Sequence, residues 1–595
     1  MVDARQKVER VDTLIVGAGP IGLLIANQLL RFKTSVLQIE KEDKDNAPIY
    51  GRACTLWCRT LELLDQLDLA EPLMNDGVVT KTGVNYRNGN PVPGGLSFGQ
   101  NLHKHADTRF NFSLHIRQRI IEQYFEQALD EKYDFKPRHQ QSLVSFSVDE
   151  SLEYPVRSVV KNEVTGETYE VESKYIIGAD GGKSTVRRES GIPFNGQRTA
   201  NKWIRIDASV KTNMPSPRTL NSVQSDTHGL VLWCPIDQGK IRIGYVFSKD
   251  LIEKYGEDGV TGEVAMAEAK KAVAPFDLEF VKLDWFTLYG IGQAMAEKFI
   301  SGRVILAGDA CHTHSSGSAQ GLNTGVLDAV NLGWKLAYRL RGFGTDELLQ
   351  TYDKERRYAV NTVIENDKII STLTSGQKPP KFADRPESAH EILDQWFDNA
   401  KVVAFTLGLG VSYEVDNLLN QKVPRGLLSG IEPGERAPEG FVTRLGTNER
   451  VPLQRLMPND GAFYVTVFAG VPAVTQAKLT NLRSYLDNSE EQTWANSFPK
   501  GTVKTITVLS SGGVAAGDAM GGLKSFGKTY YDANQEAHQS YGIDPMQGAL
   551  VVIRPDGYVG HVVALEKPEA LFEYFEGFIV PVSQKTKSAV VSNGH

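Results

Sequence analysis

The chain has 595 residues and a formal charge of −7 at pH 7, too long for one hydrophobic core and too acidic overall to be drawn to a polyanion, so neither a single-domain protein nor a nucleic-acid binder is expected. With 41% hydrophobic and 23% charged residues it has the make-up of an ordinary folded globular chain. Its four cysteines, Cys54, Cys58, Cys234 and Cys311, are too few for the patterned pairs of a secreted protein and suggest a reducing, cytoplasmic setting.

The N-terminal MVDARQKVERVD lacks the apolar stretch of a signal peptide, and the terminal SNGH carries no prenylation or peroxisomal signal. The run TLIVGAGPIGLLIANQLL is long enough to suggest a membrane span, but three glycines and a proline interrupt it. It reads instead as a strand over 13–16, a turn, and a helix over 23–30. Gly17, Gly19 and Gly22, with Pro20 among them, make G-x-G-x-x-G. The first glycine permits the tight turn, the second lets a pyrophosphate approach the backbone, and the third lets helix and strand pack closely. The unpaired N–H groups of the helix start then face the phosphates. A second strand, TSVLQIE, ends in Glu40, followed by Lys41. An acidic side chain there can bind ribose hydroxyls. This set indicates a dinucleotide and does not separate FAD from NAD. A little further on, Cys54 and Cys58 stand four apart, the spacing of two thiols on one helix face, and no second pair completes a zinc site.

In YIIGADGGKSTVRR a strand delivers Asp180, Gly181 and Gly182 into a turn, and Ser184 begins a helix with Arg187 and Arg188 in its first turns. The following stretch alternates in LVLWCPI and KIRIGYVF, which read as strands. At 304–307 another strand ends in Gly308-Asp309, followed by a polar loop and a helix starting near Gly321. In GDACHTHSSGSAQGLN the residues Cys311, His312 and His314 crowd like metal ligands. The glycines and Asp309 look more like a cradle for a phosphorylated group. No carboxylate or third histidine lies at helical spacing, so no metal is expected there. From about residue 340 the chain turns helical. A new unit begins near GIEPGERAPEGF, with strands AFYVTVFAG, VKTITVLS and GALVVIRPDGYVGHVV and a last helix KPEALFEYFEGFI. Asp556-Gly557 is the turn of a hairpin.

The three motifs, in this order and at these separations, resemble those of the class A (single-component) flavoprotein aromatic hydroxylases, and within them the phenol 2-monooxygenase subgroup. The match is closest across GDACHTHSSGSAQGLNTGVLDAVNLGWKLA, and GRACTLWCRTLELLDQLDL, HIRQRIIEQYFEQAL and DWFTLYGIGQAMAEKF also correspond. The resemblance implies a mixed α/β and α+β chain. A Rossmann-like FAD-binding domain would occupy residues 1–82, 110–192 and 288–375, interleaved with a β-sheet substrate domain of 83–109 and 193–287. A helical linker over 376–429, a C-terminal thioredoxin-like α/β domain over 430–581 and a flexible tail over 582–595 would follow. The C-terminal domain has no cysteine for dithiol chemistry and, by the resemblance, serves assembly of a homodimer.

The resemblance also implies an NAD(P)H-dependent flavoprotein monooxygenase. FAD is reduced by NADPH or NADH, takes up O2 as a hydroperoxide and hydroxylates a phenolic ring. Asp180 would serve flavin and nicotinamide, and Asp309 would hold a ribityl hydroxyl. The N–H groups of Leu322 and Asn323, beside Gly321, would face the pyrimidine edge, and Arg52 and Gln118 would contact the FAD. Tyr289 matches a tyrosine that contacts the substrate hydroxyl. Trp233, Tyr245, Trp285 and His228 are candidate walls of the substrate pocket. Two departures stand out. Cys54 occupies a position where phenol hydroxylases carry an acidic residue, and a thiol could substitute only with a lowered pKa. Ser316 replaces a proline. They leave open a second outcome on the same fold: decarboxylative or dearomatising hydroxylation, or Baeyer–Villiger oxidation, of a polyketide-type aromatic.

Overall fold

The computed structural model describes residues 8–47, 49, 52–93, 107–256, 259–315, 318–423, 426–427, 429–487, 497–512 and 515–581. Ser316 and the tail expected over 582–595 lie outside the described residues.

A parallel sheet carries the first motif. Strand Glu9–Val16 lies between Val36–Ile39 and Thr168–Gly178, and the latter pairs in parallel with Val304–Leu306. The inner parts of these strands, residues 14–16, 176–177 and 304–306, are buried apolar runs because both faces of the sheet are covered there. Helix Pro20–Arg31 starts three residues earlier than the sequence suggests, with Pro20 in its first turn and Gly19 as N-cap. Proline has its φ preset for that position and lacks only an N–H that would have no helical partner. The helix packs against Gln320–Leu340, where Gly325 and Gly333 lie under the side chains of Ile21 and Gln28. Gln28 Nε2 donates to Ala329 O at 2.9 Å across this contact.

The second layer is an eight-stranded sheet. Its order is His312–Thr313, Leu278–Ala296, Phe194–Thr212, Ile241–Phe247, Gly229–Pro235, Leu220–Ser225, Gly83–Arg87 and Asn90–Val92. Successive residues of a strand point to opposite faces. One face buries Ile204, Ile206, Val231, Trp233, Ile243 and Tyr245 together with Ala265 and Ala269 of helix Gly262–Ala272. The other face turns toward the parallel sheet.

The C-terminal unit is a seven-stranded sheet in which Phe463–Gly470 runs parallel to Val503–Leu509 and antiparallel to Ala549–Ile553. The hairpin expected at Asp556-Gly557 forms, with Gly557 at φ +74 and Arg554 N donating to Tyr558 O at 2.8 Å. Its tip is inserted into the rest of the molecule. Arg554 makes a two-pronged contact with Glu355 at 2.6 and 2.8 Å, and Arg59 donates to Asp556 O at 2.8 Å. Lys335 completes the buried array at 2.6 Å from Glu355. Such charges persist inside a protein only when paired and hydrogen-bonded, so the hairpin and the helices at 320–374 are obligate neighbours. Among the described residues no helix is long and apolar enough to cross a membrane.

Candidate active site

The G-x-G-x-x-G turn forms as a cradle. Gly17 sits at φ +108, and a Cβ there would lie 2.4 Å from Ala179 O. A Cβ on Gly22 would lie 2.1 Å from Gly17 O, while one on Gly19 would meet nothing within 4 Å. Two glycines are therefore required by packing, and the third leaves open space at the helix N-terminus. Glu40 is held beside it, its two carboxylate oxygens accepting from Ala18 N at 2.8 Å and Glu42 N at 3.0 Å. Lys41 is exposed, 3.7 Å from Glu42.

The Asp180 turn meets this cradle from the neighbouring strand. Asp180 Oδ2 accepts from Thr185 N at 2.6 Å and Val186 N at 3.3 Å. Its Oδ1 is buried with no partner among the described residues, and burial pushes the carboxyl pKa up. Ser184 caps helix Thr185–Glu189 as expected. Arg187 donates to Ala310 O at 2.7 Å and Gly182 O at 2.9 Å, tying the Asp180 turn to the Gly308-Asp309 turn.

Cys311 and His312 are brought beside a carboxylate, Asp328 of the following helix, that sequence spacing did not suggest. His312 is buried 2.7 Å from Asp328 Oδ2, and Asp328 also accepts from Gly308 N at 3.1 Å and Arg356 Nε at 2.8 Å. Burial pushes the Cys311 thiol well up. These three residues lie close enough to suggest a metal cluster, yet each Asp328 oxygen is already committed to bracing the turn. His314 does line the cavity, as do Asp309, Gly321 and Leu322. Asn323 does not. Its Oδ1 accepts from Trp57 N at 2.9 Å and Thr60 Oγ1 at 2.7 Å, so its side chain braces the wall from behind.

The glycine cradle, Glu40, Asp180, Asp309 and the helix start at Gly321 open into one cavity of about 750 Å³. Along it stand Gly17, Gly19, Pro20, Glu40, Arg52, Gln118 and Asp180. Gln118 is tethered to Glu122 at 2.8 Å. The residues fit FAD: an open glycine cradle at a helix start, an acid at the end of the second strand and an orphaned carboxylate oxygen at Asp180.

The far wall of the same cavity comes from the eight-stranded sheet: Arg205, Leu220, Asn221, Leu232, Cys234, Arg242 and Gly244, facing Cys54. Arg242 is buried and donates to both oxygens of Asp207, at 2.7 and 2.8 Å, and to Arg52 O at 2.6 Å. Cys54 and Cys234 are packed together, each 7% exposed. The Cys234 thiol, with help from the Arg242 and Arg205 guanidiniums, pulls the Cys54 pKa down to about 6. Burial and the neighbouring Cys54 charge push Cys234 the other way.

Several expectations are corrected here. Trp233 and Tyr245 do not line the cavity. They lie on the opposite face of their strands, where Trp233 Nε1 donates to Pro217 O and Tyr245 Oη to Ala265 O. His228 is on that side too, 3.2 Å from Glu268 and edge-on to Tyr245. The error is one residue of strand parity, since Leu232, Cys234 and Gly244 are the immediate neighbours that face inward. Trp285 and Tyr289 have the right parity, opposite Asp207 and Trp203. Their rings lie 5.8 Å from the Arg242 guanidinium and 5.5 Å from that of Arg205, behind the cavity lining. Cys54 and Cys58 are not on one helix face. Cys54 precedes strand Thr55–Leu56, whereas Cys58 opens helix Cys58–Gln66, and burial pushes its thiol up to about 12. Sequence reasoning missed Arg205, Asp207, Arg242 and Cys234. A charged Arg242 inside the apolar KIRIGYVF was the one available signal.

Comparison with known proteins agrees with this geometry. Residues 10–367 match the family described as FAD binding domain, and residues 411–583 match the phenol hydroxylase C-terminal dimerisation domain. The chain is 27% identical to a 3-hydroxybenzoate 4-monooxygenase of Comamonas testosteroni, over 96% of this chain and 95% of that one. It is 26% identical to a phenol 2-monooxygenase of Aspergillus fumigatus, over 96% of each. Its fold is similar to that of the anhydrotetracycline hydroxylase of Streptomyces rimosus, with a TM-score of 0.67 at 24% identity, covering 96% of this chain and all of that one.

Proposed function

The chain belongs to the FAD-dependent aromatic hydroxylases, and from that premise we propose that it uses NAD(P)H and O2 to hydroxylate a phenolic ring held against Cys54, Arg205 and Arg242. The observation that carries the reading is the single cavity that runs from the glycine cradle and Asp180 to that wall. Gly19 and the helix start would take the pyrophosphate, Glu40 the adenosine ribose, Asp309 the ribityl chain, and the N-terminal turn at Gly321 and Leu322 the pyrimidine edge. Bound FAD supplies acceptance of a hydride from NAD(P)H and activation of O2 to an electrophile.

The protein's part is to make the ring nucleophilic. A phenol reacts best as phenolate, so the site must take the hydroxyl proton and stabilise the oxygen left behind. Cys54 Sγ accepts that proton, and the guanidiniums of Arg205 and Arg242 face the resulting charge. Tyr289, on the same sheet face, backs Arg205 with its ring 5.5 Å from the guanidinium and acts by positioning that group rather than by meeting the hydroxyl. Leu220 and Leu232 give the ring its apolar wall.

The C-terminal sheet, with the three parallel strands Phe463–Gly470, Val503–Leu509 and Lys528–Tyr531 followed by an antiparallel hairpin, is the arrangement expected of a thioredoxin-like unit. Together with the dimerisation-domain match it supports a homodimer. The test is product mass. Purified FAD-loaded enzyme is incubated with NAD(P)H, 18O2 and a panel of phenols, hydroxybenzoates and hydroxylated polyketides. One labelled oxygen per product, with matched NAD(P)H consumption, is expected. Loss of carbon dioxide with the same label would replace simple hydroxylation by the decarboxylative outcome. Reductant spent only on peroxide across the panel would overturn the reading.

A further inference from the structure

The C-terminal unit reaches the flavin end of the cavity through two sets of buried contacts that the proposed chemistry does not use. The first passes through Tyr413, which lies in the stretch matched to the dimerisation domain. Tyr413 N donates to Gly434 O at 2.9 Å, and Gly434 N donates to Val559 O at 2.7 Å on the hairpin. The Tyr413 ring lies 4.5 Å from that of Tyr558, just past the hairpin turn, and the Arg554 guanidinium sits 5.3 and 5.6 Å from the two rings. The Tyr413 hydroxyl accepts from Arg356 Nη1 at 3.1 Å. Arg356 is the joint: its Nε donates to Asp328 Oδ1 at 2.8 Å and its Nη2 to Thr324 O at 3.3 Å. The other oxygen of Asp328 holds Gly308 N and His312 Nε2.

A guanidinium is planar, with its N–H directions fixed relative to one another, so a change in what holds Nη1 turns Nε as well. Asp328, Arg356 and Tyr413 are 0, 1 and 3% exposed, and bulk water does not replace a partner lost among them. Asp328 would then shift against Gly308, the φ +61 residue that precedes Asp309. The second set of contacts passes through Arg59. Its Nη2 donates to Asp556 O at 2.8 Å, its guanidinium lies 5.4 Å from the Tyr558 ring, and a Cβ on Gly557 would stand 2.9 Å from that Nη2. On the same helix Thr60 Oγ1 donates to Asn323 Oδ1, which also accepts from Trp57 N. Asn323 is in the first turn of helix Gln320–Leu340, and Trp57 lines the cavity.

We propose that Tyr413 and the hairpin tip Asp556–Tyr558 are positioning residues for the flavin, so that a unit matched for dimerisation also sets the geometry of the cofactor site. None of them lines the cavity. Tyr413 acts through Arg356 on the Gly308-Asp309 turn, and the tip acts through Arg59 on the start of helix Gln320–Leu340. No covalent step is involved. The proposal rests on the reading that Asp309 and the helix start at Gly321 meet the flavin, and its test needs no substrate.

The experiment titrates FAD into the flavin-stripped full chain by fluorescence quenching and records the visible circular dichroism of the bound flavin. Tyr413→Phe keeps the ring and removes only the acceptor for Arg356. The Kd for FAD is expected to rise by roughly three- to tenfold, with an altered flavin dichroism. Gly557→Ala, which pushes on Arg59, should move both readings in the same direction, and Tyr413→Phe carries the test alone should Gly557→Ala fail to fold. Tyr541→Phe is the control: it is equally buried in the same unit, its hydroxyl donates to Pro438 O at 3.2 Å on neither route, and its loss should leave Kd within about twofold. In Asp328→Asn protein, where the hold on Gly308 is already weakened, Tyr413→Phe should add less than about twofold. Tyr413→Phe protein that melts earlier yet binds flavin like the control, or whose effect multiplies in full with that of Asp328→Asn, would overturn the proposal. Failure of the underlying reading would appear separately, as an FAD Kd that Asp309→Ala leaves unchanged.

Discussion

The two ends of the cavity are made in different ways. At the cofactor end the surface is largely backbone: Gly17 at φ +108, the open space at Gly19, the N–H groups that hold Asp180, and the start of the helix at Gln320. At the sheet end it is side chains taken from alternate positions of three strands, with Arg205, Leu232, Cys234 and Arg242 facing in while Ile204, Val231, Trp233 and Ile243 face out. A backbone cradle is encoded by a few adjacent residues, so it survives as a motif. A side-chain wall is encoded by register, and a one-residue shift exchanges its two faces. The comparison teaches that the cofactor and the substrate of one cavity are specified by sequence signals of different range.

The largest effect is expected from breaking the backbone end. Gly22→Ala would place a methyl group 2.1 Å from Gly17 O, a backbone atom that cannot swing aside, and 2.9 Å from Gln38 Nε2. The helix must move away from the strand, and the cradle moves with it. FAD affinity, followed by quenching of flavin fluorescence, is expected to fall by about 100-fold or more, equivalent to roughly 3 kcal/mol. A protein that keeps its flavin within about tenfold of wild type would show that the cradle is not built by backbone contact.

That contrast also sets how far the sequence could be read. The glycine turn, the acid at Glu40, the Ser184 cap and the Asp556-Gly557 hairpin are local, each settled by residues within a few positions of one another. Helix Pro20–Arg31 begins earlier than its apolar periodicity suggests because proline, with its φ preset, takes the first helical turn directly after Gly19. The substrate wall is different. Arg242 pairs with Asp207 across 35 positions, and Cys234 meets His115 across 119. Aromatic size drew attention to Trp233 and Tyr245, but large rings suit a core as well as a pocket. Only the pairing of strands shows which face each ring takes.

Adjacent substitutions sharpen this point. Leu232→Ala removes part of the cavity wall, so KM for the substrate identified by the labelling experiment should rise by roughly three- to tenfold through lost apolar contact. Trp233→Phe, one position along on the same strand, should leave KM within about twofold, because its ring is packed on the far face. Steady-state kinetics on the two variants, with flavin content matched, compares the faces directly. The reverse ranking would mean that the wall is presented with the other parity when substrate is bound.

The smallest effect is expected at Tyr245, and it separates a core tyrosine from a pocket tyrosine. Its hydroxyl donates to Ala265 O at 2.7 Å, joining the sheet to helix Gly262–Ala272, and the side chain is fully buried. Tyr245→Phe keeps the ring and removes the donor, leaving one buried carbonyl without this bond. That should cost about 1 kcal/mol in unfolding free energy, read from denaturant or thermal melts. The hydroxyl has no route to the cavity through its own strand, whose inward positions are Arg242 and Gly244. Both kcat and KM should therefore be unchanged while stability drops. A variant of undiminished stability with an altered KM would place the Tyr245 hydroxyl at the substrate, and would return to the pocket a residue that strand parity assigns to the core.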